Sequence, residues 1–318
     1  MNNSLLSIII PVYKVEKYIS RCLDSILNQT FQDFEVILVN DSSPDDSIRI
    51  AEEYAHRDIR IRILHNEENS GAGWSRMAGY TNAKGEYITF CDPDDYLPEN
   101  ALEVLYSAIT KDGEADICIG DYQRVFADGS KRKVFENKLN YGNDKLSVAK
   151  STLKYEAPHY IWNKIYKAKL FKCSEIIAYK NFSKSSDEFL FFQVLQYCNK
   201  VINVNEVVYY YFDNQQSASY NKSNKNAIWA MTTSLKYIEN QYKDEREFKS
   251  TLEKWKLNKY AKFIEVSYPN RELLKIIFSD KIDYLFTPWN LLQYTYKGRA
   301  LKLFLLYIKA RTKMFLSF

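Results

Sequence analysis

The first 120 residues switch repeatedly between two periodicities, and that alternation restricts the fold more than any other feature of the chain. Ser7 to Val12 is a short, nearly continuous apolar run that reads as a buried strand. Ile19, Cys22, Leu23, Ile26 and Leu27 then recur at helical spacing within Val15 to Gln29. The pattern repeats with strands at Glu35–Val39, Ile61–Leu64, Glu86–Cys91 and Asp116–Ile119, and with helices at Asp46–Ala55, Trp74–Ala83 and Glu99–Thr110. Strands alternating with helices of ~10–15 residues predict an α/β fold with a mostly parallel sheet covered on both faces.

Such sheets bind ligands beyond the carboxyl ends of their strands. The residues just after each predicted strand are Tyr13 and Glu16, then Asn40-Asp41-Ser42-Ser43, then Asn66 to Gly71, then Asp92-Pro93-Asp94-Asp95. Four successive strand ends therefore deliver acidic or small polar groups to one rim. Past Gly120 a Lys- and Asn-rich stretch to about Ala149 reads as exposed loop with a hairpin. Ile161 to Tyr166, a helical run at Phe189–Cys198 and a strand or hairpin at Val201–Phe212 follow. Beyond Tyr220 the spacing predicts helices at Ala227–Tyr242, Phe248–Val266 and Arg271–Phe278.

Asp92-x-Asp94-Asp95 carries the strongest chemical signal. Carboxylates crowded at a strand end repel one another unless a cation sits among them, and Mg²⁺ or Mn²⁺ prefers such oxygens together with substrate phosphates. The alternative is a solvated acidic turn. Asp41 is placed to accept the imide N–H of a uracil, or to cap the helix that begins near Asp46. Arg76 is placed to pair with a diphosphate at a helix entry, or is a surface arginine. Asp187 and Glu188 precede Phe189-Leu190-Phe191-Phe192, where an apolar setting favours a general base; first-turn helix acids explain the same residues.

Taken in order, these segments resemble the bacterial family 2 glycosyltransferases with the GT-A fold, of the type that builds capsule, lipopolysaccharide and exopolysaccharide. The matching stretches are Ser7–Tyr13, Ser25–Thr30, Phe34–Ser43, Asn69-Ser70-Gly71, Ala83–Ile88, Asp92–Asp95, Trp162–Tyr166 and Asp187 with its apolar helix, over roughly Ser7 to Ser219. The resemblance implies a Rossmann-like sheet sandwiched by helices, with residues 1–220 as the catalytic domain. Residues 1–100 would form its nucleotide-sugar half and 101–220 its acceptor half, followed by a helical extension at 221–318. It implies that Pro11, Tyr13, Glu16, Asp41, Arg76 and Asp92 line the donor pocket, with Asp41 reading uracil. It implies that Asp94, with Asp92, holds Mn²⁺ or Mg²⁺. Asp187, or Glu188 in the adjacent register, would deprotonate an acceptor hydroxyl that displaces the diphosphate with inversion. The chain departs from the family pattern at Asn40, Ser42 and Met77, where Asp, Gly and Asn are usual.

Charge divides the chain. From Asn221 to Phe318 there are 19 Lys and Arg against 9 Asp and Glu, a net of +10, which leaves −6 for the rest of the +4 chain. The segment Ile282 to Phe318 interleaves Trp289, Leu305, Tyr307 and other apolar residues with Lys302, Lys309 and Arg311. This profile fits an amphipathic segment lying on an anionic inner membrane surface, where a lipid-linked saccharide acceptor is found; the alternative is a helix packed on the catalytic domain. Met1–Ser7 lacks a basic leader, and the run from Leu5 is stopped by Pro11, far short of the ~20 residues of a span. Five scattered cysteines without a C-x-x-C pair point to a reducing compartment. The expectation is a cytoplasmic protein, peripheral to the inner membrane. Three histidines without ligand spacing leave carboxylates to hold any metal. The acidic front argues against nucleic acid as a partner, and the absence of G-x-G-x-x-G argues against a dinucleotide-dependent oxidoreductase. A nucleotidyltransferase would show a Gly-rich triphosphate loop, and Pro11–Lys17 has no glycine. The remaining alternative is a non-catalytic sugar-nucleotide-binding scaffold in a polysaccharide-assembly complex.

Overall fold

A computed structural model of the chain describes residues 5–133, 142–172, 175–182, 185–215, 224–268, 270–295 and 297–315. Cys173, Tyr296 and Leu316, and part of the expected 120–149 loop, lie outside them. The chain opens with β1 (Leu6–Val12), α1 (Ile19–Leu27), β2 (Phe34–Asn40), α2 (Ser47–Arg57), β3 (Ile61–His65), α3 (Ala72–Thr81), β4 (Tyr87–Phe90) and α4 (Ala101–Asp112). The hairpin of β5 (Ile117–Val125) and β6 (Lys131–Lys133) follows, then α5 (Lys145–Leu153), β7 (Lys164–Lys167), α6 (Lys169–Lys172), α7 (Ser186–Gln196) and β8 (Val201–Phe212). The rest is helical: α8 (Lys225–Tyr242), α9 (Lys249–Ser267), α10 (Arg271–Phe278), α11 (Pro288–Tyr294) and α12 (Lys297–Phe315).

The strands form one mixed sheet in the order β3-β2-β1-β4-β7-β5-β6, with β8 beside β5. β3, β2, β1 and β4 are parallel, as the sequence predicts. β7 enters between β4 and β5 antiparallel to both, a pairing the alternating pattern does not announce. Every residue of β1 is buried because its two faces feed two cores. Leu6, Ile8, Ile10 and Val12 pack with Cys22 and Leu23 of α1 and Leu105 of α4. Ile9, with Ile88 and Phe90 of β4, faces the second core. α3 crosses close above β1 at Gly79, where a Cβ would meet the Ile9 side chain at 2.3 Å.

The segment Trp162–Tyr166 fastens β7 into place. The Asn163 side-chain amide donates to the Gly120 carbonyl at 2.6 Å, and the Gly120 N–H returns to the Asn163 carbonyl at 2.9 Å. Trp162 stacks on Tyr209 of β8 with ring centroids 4.3 Å apart, so this motif also positions the strand that approaches the candidate site.

The second core continues from Ile9 and Phe90 through α7 to Trp255 of α9, Ile277 of α10 and Leu303 and Ala310 of α12. The C-terminal helices thus pack on the sheet domain through one shared interior, the alternative reading of the tail. The Tyr307 hydroxyl and the Arg311 guanidinium both bind Asp283, at 2.7 and 2.5–2.8 Å. No helix among the described residues is long and apolar enough to cross a membrane.

Candidate active site

The rim at the carboxyl ends of β1, β2, β3 and β4 gathers most of the residues singled out from the sequence. Pro11 is buried in β1, and Tyr13 is exposed just beyond it with the Lys14 ammonium over its ring. The Glu16 carboxylate accepts the Asp46 N–H at 3.1 Å, so it helps close the start of α2. Asp41 does not cap that helix. Its carboxylate is buried and accepts from the Asn66 side-chain amide at 2.8 Å, the Ser70 N–H at 2.9 Å and the Gly71 N–H at 2.7 Å. Asp41 therefore pins the loop that leads into α3, with Gly71 at φ +89° supplying the turn. A carboxylate has about four lone-pair sites, so one remains for a further N–H.

α3 carries Arg76 inward. Far from being a surface residue, its side chain is 4% exposed and bridges two carboxylates from distant parts of the chain. One terminal nitrogen binds Asp92 at 2.6 Å and the other binds Asp187 at 2.8 Å, while its Nε finds no partner among the described residues. Burial works against the guanidinium charge, yet Asp187 and Asp92 hold it more firmly protonated than an ordinary arginine.

The turn after β4 is built from all three aspartates, but they do different things. Asp95 is buried and accepts the Tyr209 hydroxyl at 2.9 Å and the Phe212 N–H at 2.7 Å. The same hydroxyl accepts the Asp92 N–H at 2.9 Å. Asp94 accepts the Asn214 amide at 3.0 Å, and its carbonyl accepts from Arg21, whose guanidinium lies between the Tyr96 and Phe212 rings. Burial and the Asp92 charge push Asp94 above the ordinary carboxylate range, and burial with Asp94 and Asp92 pushes Asp95 well above it. The alternative of a solvated acidic turn fails, since these groups are held by Arg21 of α1, Arg76 of α3, Tyr209 of β8 and Asn214 just beyond it.

No group of three or more His, Cys, Asp or Glu among the described residues is arranged to hold an ion. The donor set nevertheless fits a hard divalent cation. Among the described residues, Asp92 and Asp94 each have one oxygen engaged in a side-chain bond, to Arg76 and Asn214, and the other in no side-chain bond; their mutual repulsion is what a cation relieves. Asp95 has both oxygens committed internally and is not a candidate ligand.

The structure separates the two adjacent acids at the start of α7. Ser185, in the left-handed region, precedes the helix without a side-chain cap. Asp187 points to Arg76 and into the rim, and burial raises it above the ordinary 3.8 against the pull of Arg76. Glu188 points the other way and forms a buried ion pair with Lys259 of α9 at 2.9 Å. Burial presses Glu188 upward, but Lys259 and His159 outweigh it and hold the group below the ordinary range. Both acids thus have tertiary partners beyond the helix-end role considered from sequence. Glu188→Gln leaves Lys259 unpaired in a setting where it is only 16% exposed. The expected loss is about 3 kcal/mol of folding stability, measured by urea unfolding, with the rim geometry at Asp187 retained.

Three site residues carry no sequence signal of their own: Arg21, Tyr209 and Asn214. Lys164 is a fourth. It is fully buried, donates to the Tyr160 carbonyl and to the Asn163 side chain, and stands over the Phe191 ring of α7. Burial pulls it well below the ordinary lysine range. Only its place in the Trp162–Tyr166 motif could have flagged it.

A family model described as glycosyl transferase family 2 matches residues 7–173. The glycosyltransferase GlyA of Streptococcus pneumoniae is 33% identical over 217 residues, which is 65% of this chain and 30% of GlyA. The uncharacterized glycosyltransferase EpsJ of Bacillus subtilis is 32% identical over 223 residues, 67% of this chain and 62% of EpsJ. The chain thus spans less than two thirds of either relative. Among solved structures, S. aureus TarS residues 1–349 in complex with UDP-GlcNAc matches with a TM-score of 0.63 at 19% identity, over 98% of this chain and 93% of that one. The sheet, its helices and the C-terminal helices therefore share the GT-A fold of TarS.

Proposed function

Because the chain belongs to glycosyl transferase family 2, we propose that it moves a sugar from a nucleoside diphosphate donor, a UDP-sugar, to a saccharide acceptor in cell-surface polysaccharide assembly. The observation that carries this reading is the Arg76 clasp, which unites Asp92 of the D-x-D turn with Asp187 at one rim. The D-x-D turn suits a diphosphate and the partly buried carboxylate of Asp187 suits a general base, and Arg76 holds the two within one side chain's reach. A scaffold that only binds a nucleotide sugar has no need of the second.

In this reading the acceptor hydroxyl gives its proton to Asp187 as its oxygen attacks the anomeric carbon. The bond from that carbon to the diphosphate breaks, and configuration inverts in a single displacement. Arg76 offers its guanidinium to charge building on the departing diphosphate. Asp94 and Asp92 would hold Mg²⁺ or Mn²⁺, which when bound supplies further neutralisation of that charge. In this reading Asp41, with Pro11, Tyr13 and Glu16, would line the nucleoside pocket. The solved UDP-GlcNAc complex of the similarly folded TarS supports a uridine donor, and the names of the relatives support sugar transfer. The sugar is a hexose or N-acetylhexosamine, and the acceptor is carried on a lipid at the cytoplasmic face of the membrane.

The test is nucleotide release from a panel of UDP-sugars with Mn²⁺ or Mg²⁺, repeated with EDTA and with Asp94→Ala. One donor should turn over with metal, and the rate should fall by about 10²-fold or more on chelation or substitution. Binding of every donor without turnover, acceptors included, would overturn the catalytic reading.

A further inference from the structure

The last helix has two apolar faces. The inner one, Ala300, Leu303 and Ala310, is buried against the shared core. The outer one is formed by Leu301, Leu305 and Ile308, at spacing i, i+4, i+7, which falls within an arc of about 60°. These side chains are 61%, 50% and 43% exposed, and Leu292 on the adjoining α11 is 54% exposed. Single exposed leucines are ordinary, but a row of them at helical spacing, opposite a face already packed, is not the polar surface such a helix normally shows.

The charges beside this row have one sign. α12 carries six Lys and Arg and no Asp or Glu. Arg311 is committed to Asp283 and Arg299 to Asn258, whereas Lys302 and Lys309 are exposed on the strip next to the apolar row. A second copy of the chain is a poor occupant. Symmetric pairing of this helix would set lysine rows against each other with no acid on the helix to answer them. Four aliphatic side chains also fall far short of the ~800 Å² per partner of a stable interface.

We propose that the outer face of α12 docks on an anionic lipid bilayer, with Leu301, Leu305 and Ile308 entering the acyl boundary and Lys302 and Lys309 meeting headgroup phosphates. The inner face stays on the core, so the helix adsorbs without leaving the protein. This deepens the reading of a lipid-borne acceptor above and names the surface that meets the lipid. Its test needs no turnover, so it fails or stands separately from that reading.

The experiment is flotation of the full chain with phosphatidylcholine vesicles, with and without about one third phosphatidylglycerol. Wild type should float with the anionic vesicles only. Leu301→Ser, Leu305→Ser and Ile308→Ser together should remain at the bottom, with an unchanged melting temperature because all three positions are exposed. Lys302→Gln with Lys309→Gln should weaken binding by roughly 30-fold. Wild type that ignores anionic vesicles, or a triple variant that floats as wild type does, overturns the proposal. So does a triple variant whose only change, by light scattering, is from dimer to monomer.

Discussion

Asp187→Asn should lower kcat by about 10³-fold while donor binding is kept, because the substitution removes the proposed proton acceptor but preserves shape and a polar contact to Arg76. The measurement is nucleotide release beside calorimetric binding of the same UDP-sugar. Glu188→Gln is the internal control: it is adjacent in sequence, yet its carboxylate faces Lys259 rather than the rim. Once allowance is made for its lower stability, its turnover should remain within a few fold of wild type. The pH profile gives a second readout. A base works only when deprotonated, so kcat/KM should rise with pH through the Asp187 pKa. Burial lifts that pKa above the ordinary 3.8, so the acid limb should lie above the range of a solvent-exposed carboxylate and vanish in Asp187→Asn. Full activity in Asp187→Asn with loss in Glu188→Gln would reverse the assignment.

Arg76→Met has two large effects that can be measured apart. The first is on stability. Arg76 is 4% exposed and holds both Asp92 and Asp187, so its removal leaves two partly buried carboxylates without their counter-charge. Breaking such a buried arrangement costs about 3–5 kcal/mol, or roughly 4–8 °C in melting temperature for a chain of this size. The second is on chemistry, an expected loss of about 10²–10³-fold in kcat from removing the guanidinium proposed to face the diphosphate. Arg76→Lys distinguishes the two. An ammonium restores charge but cannot span both carboxylates as the planar fork does. Stability should therefore recover in part while activity stays low. Wild-type activity in Arg76→Lys would show that the bridging geometry is dispensable.

The parts of the fold legible in the sequence are those set by local pattern. Apolar runs located β1 to β4, and β8 and α10 fall at Val201–Phe212 and Arg271–Phe278 as read. Strand ends located the rim, because that position follows from the parallel topology alone. What escaped was decided at long range. β7 pairs with β4 and β5 across a wide sequence separation, and nothing inside Lys164–Lys167 announces an antiparallel insertion. α5 lay hidden in a Lys-rich stretch of weak periodicity, although Asp144, which accepts the Leu146 and Ser147 N–H groups, is a readable helix start. Arg21, Tyr209 and Asn214 reach the aspartate turn from sequence separations of 73, 117 and 120 residues, beyond any motif. The choice between Asp187 and Glu188 is of the same kind. Helical phase says only that they point about 100° apart; which direction holds the site depends on where α3 and α9 pack.

The turn after β4 also has an evolutionary cost written into it. Three aspartates are held close together by Arg21, Tyr209 and Asn214, and burial together with their mutual repulsion lifts two of them above the carboxylate range. A sequence drifting toward greater thermal robustness would gain by exchanging Asp94 for a neutral residue, and would lose the proposed cation ligand in the same step. The retained repulsion is a trade of robustness for readiness: the turn is already ordered when substrate arrives, so little conformational entropy remains to be lost on binding.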